Sequence, residues 1–227
     1  MIKPITFVIV IAAVVGLSPS AKAEFLVRDV KSTGAITSLA DADALLAGAG
    51  IASETTAYLP FIDLIDPDFA VSGSFTNDLS FPNGIPGQND ENFAIRATGF
   101  LVIPTAGTYT FGFDVDDQAR LRIDTGNGFQ TVLDYNGNSF LTNEFTFLTA
   151  GVYALDFVYL ENGGEARAEL FAAFGGSDFQ LLGDTANGGL AVIQGAAAVP
   201  EPSSVIMLGL GAVGLIGVAV RRRRRIA

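Results

Sequence analysis

From Phe93 to Phe174 the chain is written in period two. The runs Phe93 to Ile103, Thr108 to Val115, Arg120 to Ile123, Phe129 to Leu133, Ser139 to Leu148, Val152 to Leu160 and Ala166 to Phe174 place aromatic and branched residues at alternate positions. Between them lie turn residues at Thr105 to Gly107, Asp124 to Gly128, Asn136 to Asn138, Ala150-Gly151 and Asn162 to Gly164. Successive side chains of a strand point to opposite faces, so each run reads as a strand with one buried face. Short strands at this spacing indicate an all-β sandwich or barrel. Within the pattern, Thr105-Ala106-Gly107-Thr108-Tyr109-Thr110-Phe111-Gly112-Phe113 is echoed by Thr149-Ala150-Gly151-Val152-Tyr153-Ala154-Leu155-Asp156-Phe157. Two copies fall short of the three or so stacked units a repeat protein needs, so they read as equivalent hairpins of one sandwich.

Upstream the period changes. Thr37 to Gly48 sets Leu39, Ala42, Leu45 and Leu46 on one helical face, with Ser38 as N-cap and Gly48 as stop, which predicts one short N-terminal helix. Pro60 to Gln88 is broken by Pro67, Pro82, Pro86 and Asn83-Gly84 and is expected to be mostly loop with short edge strands. Residues 186–198, rich in Ala and Gly and without charge, read as a linker. The expected organisation is therefore a signal peptide at 1–23, a single β-sandwich domain at 24–185, the linker at 186–198 and a sorting signal at 199–225.

Both ends carry targeting features. Lys3, the apolar run Ile5 to Leu17 and Ala21-Lys22-Ala23 follow the order of a secretory signal peptide, with an uncleaved anchor helix as the alternative. At the other end, Pro200-Glu201-Pro202 precedes the uncharged stretch Ser203 to Val220 and then Arg221, Arg222, Arg223, Arg224 and Arg225. Eighteen residues at 1.5 Å rise come to about 27 Å, close to the hydrocarbon thickness of a bilayer. Arginines directly after the span stay cytoplasmic, placing the bulk of the chain across the membrane. This tripartite tail resembles the PEP-CTERM sorting signal of Gram-negative bacteria. The resemblance implies processing by an exosortase that removes the helix, and a place in exopolysaccharide production, the extracellular matrix and biofilm. A plain single-span anchor is the alternative.

Residue types exclude much chemistry. There is no Cys, His or Trp, so a Ser-His-Asp triad, a thiol nucleophile, a Cys/His zinc site and disulfides are impossible. Any metal must be a hard cation bound by oxygen. Arg28, Lys31, Arg96, Arg120, Arg122 and Arg167 stand against 23 acids between Glu24 and Pro200, a balance of −17, which argues against a nucleic-acid partner.

The candidate site is the acidic loop VDDQARLRID. Alternation puts Asp114 and Asp116 on one side and Asp117 on the other unless the backbone kinks, and Asp124 follows one strand later. Adjacent carboxylates repel, and a divalent cation or nearby Arg120 would relieve them; solvated loop acids are the plainer reading. The stretches ENFAIRATGFLVIPTAGTYTFGFDVDDQARLRID and FTFLTAGVYALDFVYLENGGEARAEL resemble the PA-fourteen (PA14) domain of toxin components, yeast flocculins and bacterial glycosidases. That family is a β-sandwich. In its sugar-binding members two consecutive Asp joined by a cis peptide bind Ca²⁺ with an Asn and backbone carbonyls of a second loop, and the ion meets vicinal saccharide hydroxyls. Position by position, the resemblance implies Asp116 and Asp117 as the pair, Asn162 as second-loop ligand, and Gly164 and Ala166 through their carbonyls. Gln118 stands where the family usually has Gly, and the Trp often found near the sugar is missing; Tyr135, Tyr159 or Phe129 would have to supply stacking.

The expected function is a non-catalytic, calcium-dependent carbohydrate-binding protein at the cell surface or in the matrix, with extracellular glycan and exosortase as partners and the membrane in the precursor. A purely structural matrix protein is the alternative. A glycosidase is less favoured, because its two acids must be separated and differently tuned, whereas this pair is adjacent. No catalytic residue is expected.

Overall fold

The computed structural model describes residues 24–68, 73–137 and 139–194. The signal peptide at 1–23, and the sorting signal at 199–225 with its expected helix, lie outside the described residues. Among the described residues no helix is long and apolar enough to cross a membrane.

Two sheets face each other. The first runs β2 (Ile51–Leu59), β1 (Phe25–Ser32), β5 (Phe93–Ile103), β10 (Gly151–Glu161), β7 (Gln118–Asp124), β8 (Phe129–Asn136), with β13 (Val192–Ile193) added to β5. The second runs β4 (Leu79–Ser80), β3 (Asp63–Ile65), β11 (Arg167–Phe174), β6 (Gly107–Asp116), β9 (Ser139–Phe147), with β12 (Gln180–Leu181) on β11. Neighbours are antiparallel except β3 and β4. The fold is thus the expected all-β sandwich. Inward residues such as Phe111, Phe113 and Leu170 of the second sheet meet Ile95, Leu121 and Phe157 of the first, all fully buried. Burial of apolar area at roughly 25 cal/mol per Å² is the dominant favourable term.

The helix α1 (Leu39–Leu46) forms inside its expected span. Ser38 Oγ accepts the Asp41 N–H at 3.2 Å, and Ala42 and Leu45 pack against Val30, Ala94, Val158 and Leu160 on the outer face of the first sheet. The echoed segments are equivalent but are not the expected hairpins: each turn carries the chain from one sheet to the other, β5 to β6 and β9 to β10, and the flanking strands do not pair. In both, the tyrosine fastens the turn, Tyr109 Oη donating to the Thr105 carbonyl at 2.8 Å and Tyr153 Oη to that of Thr149 at 2.7 Å.

Two further expectations need correction. Residues 25–32 and 51–59 are full strands that the alternation did not mark. In β1 the inward positions Phe25 and Val27 are followed by inward Asp29 and Lys31, which break the apolar period because the 82–90 loop covers them: Asp29 accepts the Asn83 N–H at 2.8 Å and Lys31 pairs with Asp90. The supposed linker at 186–198 is also part of the fold as far as it is described. Val192 is fully buried, and Gln194 Nε2 donates to the carbonyls of Thr98 at 2.8 Å and Glu24 at 3.2 Å. The close approach depends on Gly99, where a Cβ would lie 2.5 Å from Val192 Cγ1.

Candidate functional site

The chain changes sheets at Asp117. Strand β6 of the second sheet ends at Asp116 and β7 of the first begins at Gln118, leaving Asp117 alone in the crossover. The peptide bond between Asp116 and Asp117 is cis. The Asp117 carbonyl accepts the Gly137 N–H at 3.0 Å, and its Oδ2 accepts the Asn162 N–H at 3.0 Å. The two loops that the resemblance assigned to one site therefore meet. Gln118 is buried rather than open to the site, and its amide donates to the Thr37 carbonyl at 2.9 Å, fastening the crossover to the segment before α1.

Beneath the crossover lies a buried polar pair. The Tyr159 hydroxyl reaches the Asp116 carbonyl and also lies 2.8 Å from Glu161 Oε2. A phenol has one hydrogen. Both contacts are made together when Glu161 is the neutral acid, donating to the phenol while the phenol donates to Asp116. Burial pushes the Glu161 carboxyl up to about 8, with Tyr159 opposing and the charges of Asp117 and Asp116 adding to the rise. Burial likewise raises the Tyr159 phenol well above its ordinary value. The second oxygen of Glu161 is buried without a hydrogen-bond partner. Asp116 is half-buried, and burial, then Asp117, push its carboxyl up to about 6 against the pull of Arg167.

The basic residue next to the pair is therefore Arg167, directly across the ladder from Asp116, and not Arg120. Arg120 instead clasps Asp43 of α1 at 2.8 and 3.1 Å on the other side of the first sheet. Asp114 is held by Arg167 at 3.1 Å and by Ser74 Oγ at 3.0 Å, and does not join the pair. Asp124, at the far end of β7, accepts the N–H groups of Gly126 and Gly128 at 2.7 and 3.0 Å.

In the second loop Asn162 and Gly164 are exposed, and Gly164 has φ 110, a region that suits glycine. Ala166 is buried and its carbonyl already accepts the Asp66 N–H at 3.0 Å. The stacking candidates fare differently. Tyr159 is fully buried between Phe81 and Phe93, with ring centroids at 5.7 and 5.9 Å, so its ring offers no face to a sugar. Its inward register with Leu155 and Phe157 already implied this, and the same alternation marks Glu161 as an inward acid, a signal that the sequence reading passed over. Phe129 is exposed but pairs with Asp124, at the opposite end of the sandwich. Tyr135 remains, half-exposed and beside Gly137 at the crossover.

As a cation site the arrangement is one of oxygen donors with surplus negative charge: Asp116, Asp117, Glu161 and Glu165 act on one another with Arg167 as the opposing charge. Among the described residues no three acidic side chains converge as a ready-made metal cluster. A cation here would rest on two carboxylates plus neutral oxygens, a donor set that suits Ca²⁺.

A family model for the PA14 domain matches residues 77–178. Residues 77–178 are a PA14 domain. The sandwich built around that PA14 domain is larger than the matched segment, since β1, α1, β2 and β3 precede it and β12 and β13 follow it. A second model, the PEP-CTERM protein-sorting motif, matches 198–225 and marks an exported protein with a C-terminal sorting signal. Solved structures share the PA14 fold. The PA14 domain of the antifreeze protein MpAFP has TM-score 0.54 at 20% identity, covering 80% of this chain and 96% of that one. A PA14 sugar-binding domain from an RTX adhesin has TM-score 0.54 at 22% identity, covering 77% and 100%. The subtype-switched epithelial adhesin 9 to 1 A domain of Candida glabrata, in complex with beta-lactose, has TM-score 0.53 at 13% identity, covering 80% and 93%. Comparison with curated proteins gives no match.

Proposed function

We propose that this protein is an exported, exosortase-processed component of the cell surface or extracellular matrix whose PA14 domain binds carbohydrate through Ca²⁺ held at Asp116 and Asp117. The observation that carries the reading is the Asn162 N–H on Asp117 Oδ2 at 3.0 Å, which draws the second loop onto the acidic pair. Asp116 and Asp117 supply carboxylate oxygens, Asn162 its side-chain oxygen, and Gly164 its carbonyl; Ala166 contributes less directly, because its carbonyl is shared with the Asp66 N–H. Bound Ca²⁺ would leave coordination positions open for vicinal hydroxyls of a saccharide. Tyr135 borders the site on the β8 side, and the Tyr159–Glu161 pair holds the crossover from below. The relatives crystallised as sugar-binding and lactose-bound domains support this reading. The role is non-enzymatic, and in a Gram-negative setting the partner is an exopolysaccharide of the biofilm matrix.

The test is a calcium titration of thermal stability. Ligand at 100-fold its Kd stabilises by about 2.7 kcal/mol, a Tm rise of roughly 5–10 °C for a chain of this size. The rise should vanish in Asp117→Asn, and no shift at millimolar Ca²⁺ in the parent chain overturns the site. Mass spectrometry of the exported form tests the processing: Arg221 to Arg225 should be gone.

A further inference from the structure

The end of the sandwich opposite the crossover holds a cavity of about 390 Å³. It opens between the β7–β8 turn and the β9–β10 turn, where the first sheet meets β9 of the second. Its polar lining is uncharged: Thr125, Asn127, Gln130, Thr146 and Thr149. In a domain carrying a balance of −17 this is a place without a carboxylate or a cation in the wall. Apolar surface comes from Tyr153, Phe145 and Leu148, the last 90% exposed.

We infer that this cavity is a second, cation-independent binding site for neutral carbohydrate. The chemistry of the wall selects the ligand class. An anion needs Arg, Lys or a cluster of N–H donors, a cationic ligand needs carboxylates, and neither lines the cavity. A purely apolar ligand would strip water from the amides of Asn127 and Gln130 without replacing its hydrogen bonds. Amides and hydroxyls both donate and accept, as sugar hydroxyls do, and a ring supplies an apolar face. The volume lies within the roughly 300–1,000 Å³ of ligand pockets.

The echoed turns give the reason an aromatic face is available here. Tyr109 and Tyr153 make the same bond to the carbonyl four residues upstream. Tyr109 is fully buried, stacked on Phe174 at 4.3 Å and packed edge-on to Phe147. Tyr153 packs on Phe147 at 4.7 Å yet stays half-exposed, its hydroxyl pinned by the Thr149 carbonyl and 2.9 Å from Thr149 Oγ1. The second copy thus presents a ring in a fixed orientation at the rim, preorganised at no further entropic cost. Gln130 Nε2 similarly rests on Thr125 Oγ1 at 3.1 Å.

Strand β6 spans the distance between the two ends. Gly107 pairs with Phe147 beside the cavity and Asp116 ends at the crossover; nine residue steps at roughly 3.3 Å put them about 30 Å apart. The second site stands independently of the calcium reading, and with both occupied one molecule joins two glycan strands.

The test is saturation-transfer NMR on the full-length chain in a zwitterionic detergent with EDTA, probed with cellotetraose, maltotetraose and tri-N-acetylchitotriose, and with trigalacturonate as anionic control. At least one neutral probe should bind and the anionic one should not. Asn127→Ala with Gln130→Ala, both at exposed positions, should weaken binding at least about fivefold through loss of hydrogen-bond partners, with unchanged circular dichroism. Asp117→Asn should leave this EDTA-resistant binding intact while abolishing any calcium-dependent binding, so either site can fail alone. Absence of neutral-probe binding in EDTA, preference for the anionic probe, or equal binding by the double variant overturns the proposal.

Discussion

Replacing Asp29 with Asn should stabilise the domain at alkaline pH. Asp29 lies on the core face of β1, 1% exposed, with Oδ2 accepting the Asn83 N–H at 2.8 Å and Oδ1 buried without a hydrogen-bond partner. Burial pushes its carboxyl from 3.8 up to about 7, the Asn83 N–H and Lys31 opposing and Asp90 adding to the rise. Between those two values the folded chain holds a proton that the unfolded chain has released. Stability is therefore largest at the acidic end of the window and falls as pH rises towards 7. A gap of about three units at 1.36 kcal/mol each sets a ceiling of about 4 kcal/mol on the penalty at pH 8. Asn keeps the acceptor for Asn83 and carries no charge, so Asp29→Asn should recover about 1–4 kcal/mol at pH 8 and little at pH 4, since a neutral amide replaces a neutral acid there. The assay is urea unfolding at pH 4, 6 and 8 without calcium, followed by tyrosine fluorescence, which is clean because the chain has no Trp. Glu169, fully buried and raised to about 7, adds to the slope of both proteins, so the difference between parent and variant isolates Asp29. A variant less stable than the parent at pH 8, or parallel to it across the range, would refute the reasoning.

Tyr159→Phe keeps the ring between Phe81 and Phe93 but removes the hydroxyl on the Asp116 carbonyl and leaves Glu161 without that partner. It should cost about 1–3 kcal/mol in urea unfolding and weaken the calcium response measured by Tm, and an unchanged response would show that the pair does not support the crossover. Gly112→Ala places a Cβ 2.2 Å from Phe171 Cε2 and 3.0 Å from the Leu141 carbonyl. Phe171 is stacked on Phe140 at 4.9 Å and cannot yield freely, so a loss of about 1–3 kcal/mol is expected; less than about 0.5 kcal/mol would show the outer ring cluster to be mobile.

Much of the sandwich was legible because alternation is a property of the local chain. Phe93–Ile103 coincides with its strand at both ends, and the other downstream runs differ from theirs by one to three residues at a boundary. The acidic pair and Asn162 were legible through the resemblance, and the structure brings their loops together. Strand β2, with its Ala, Ser and Thr and a largely exposed edge, carried no apolar period to find. Nor did residues 186–194, whose packing depends on a glycine nearly a hundred positions away.

By itself the sequence determined the all-β class, the helix cap, the turn sites, the exclusion of thiol and imidazole chemistry, and the sorting tail. Each of these follows from residue type or from spacing along the chain, except the sorting role of the tail, which came through its resemblance to PEP-CTERM signals. The tertiary structure decided what depends on distant strands becoming neighbours. It set Arg167, not Arg120, beside Asp116, buried Tyr159 under the crossover, buried Tyr109 while leaving its echo-related counterpart Tyr153 half-exposed, and formed an open cavity with an uncharged wall between the β7–β8 and β9–β10 turns. Two copies of one local motif acquired different surroundings because burial is set by what packs above a strand, and the strand's own residues do not encode that.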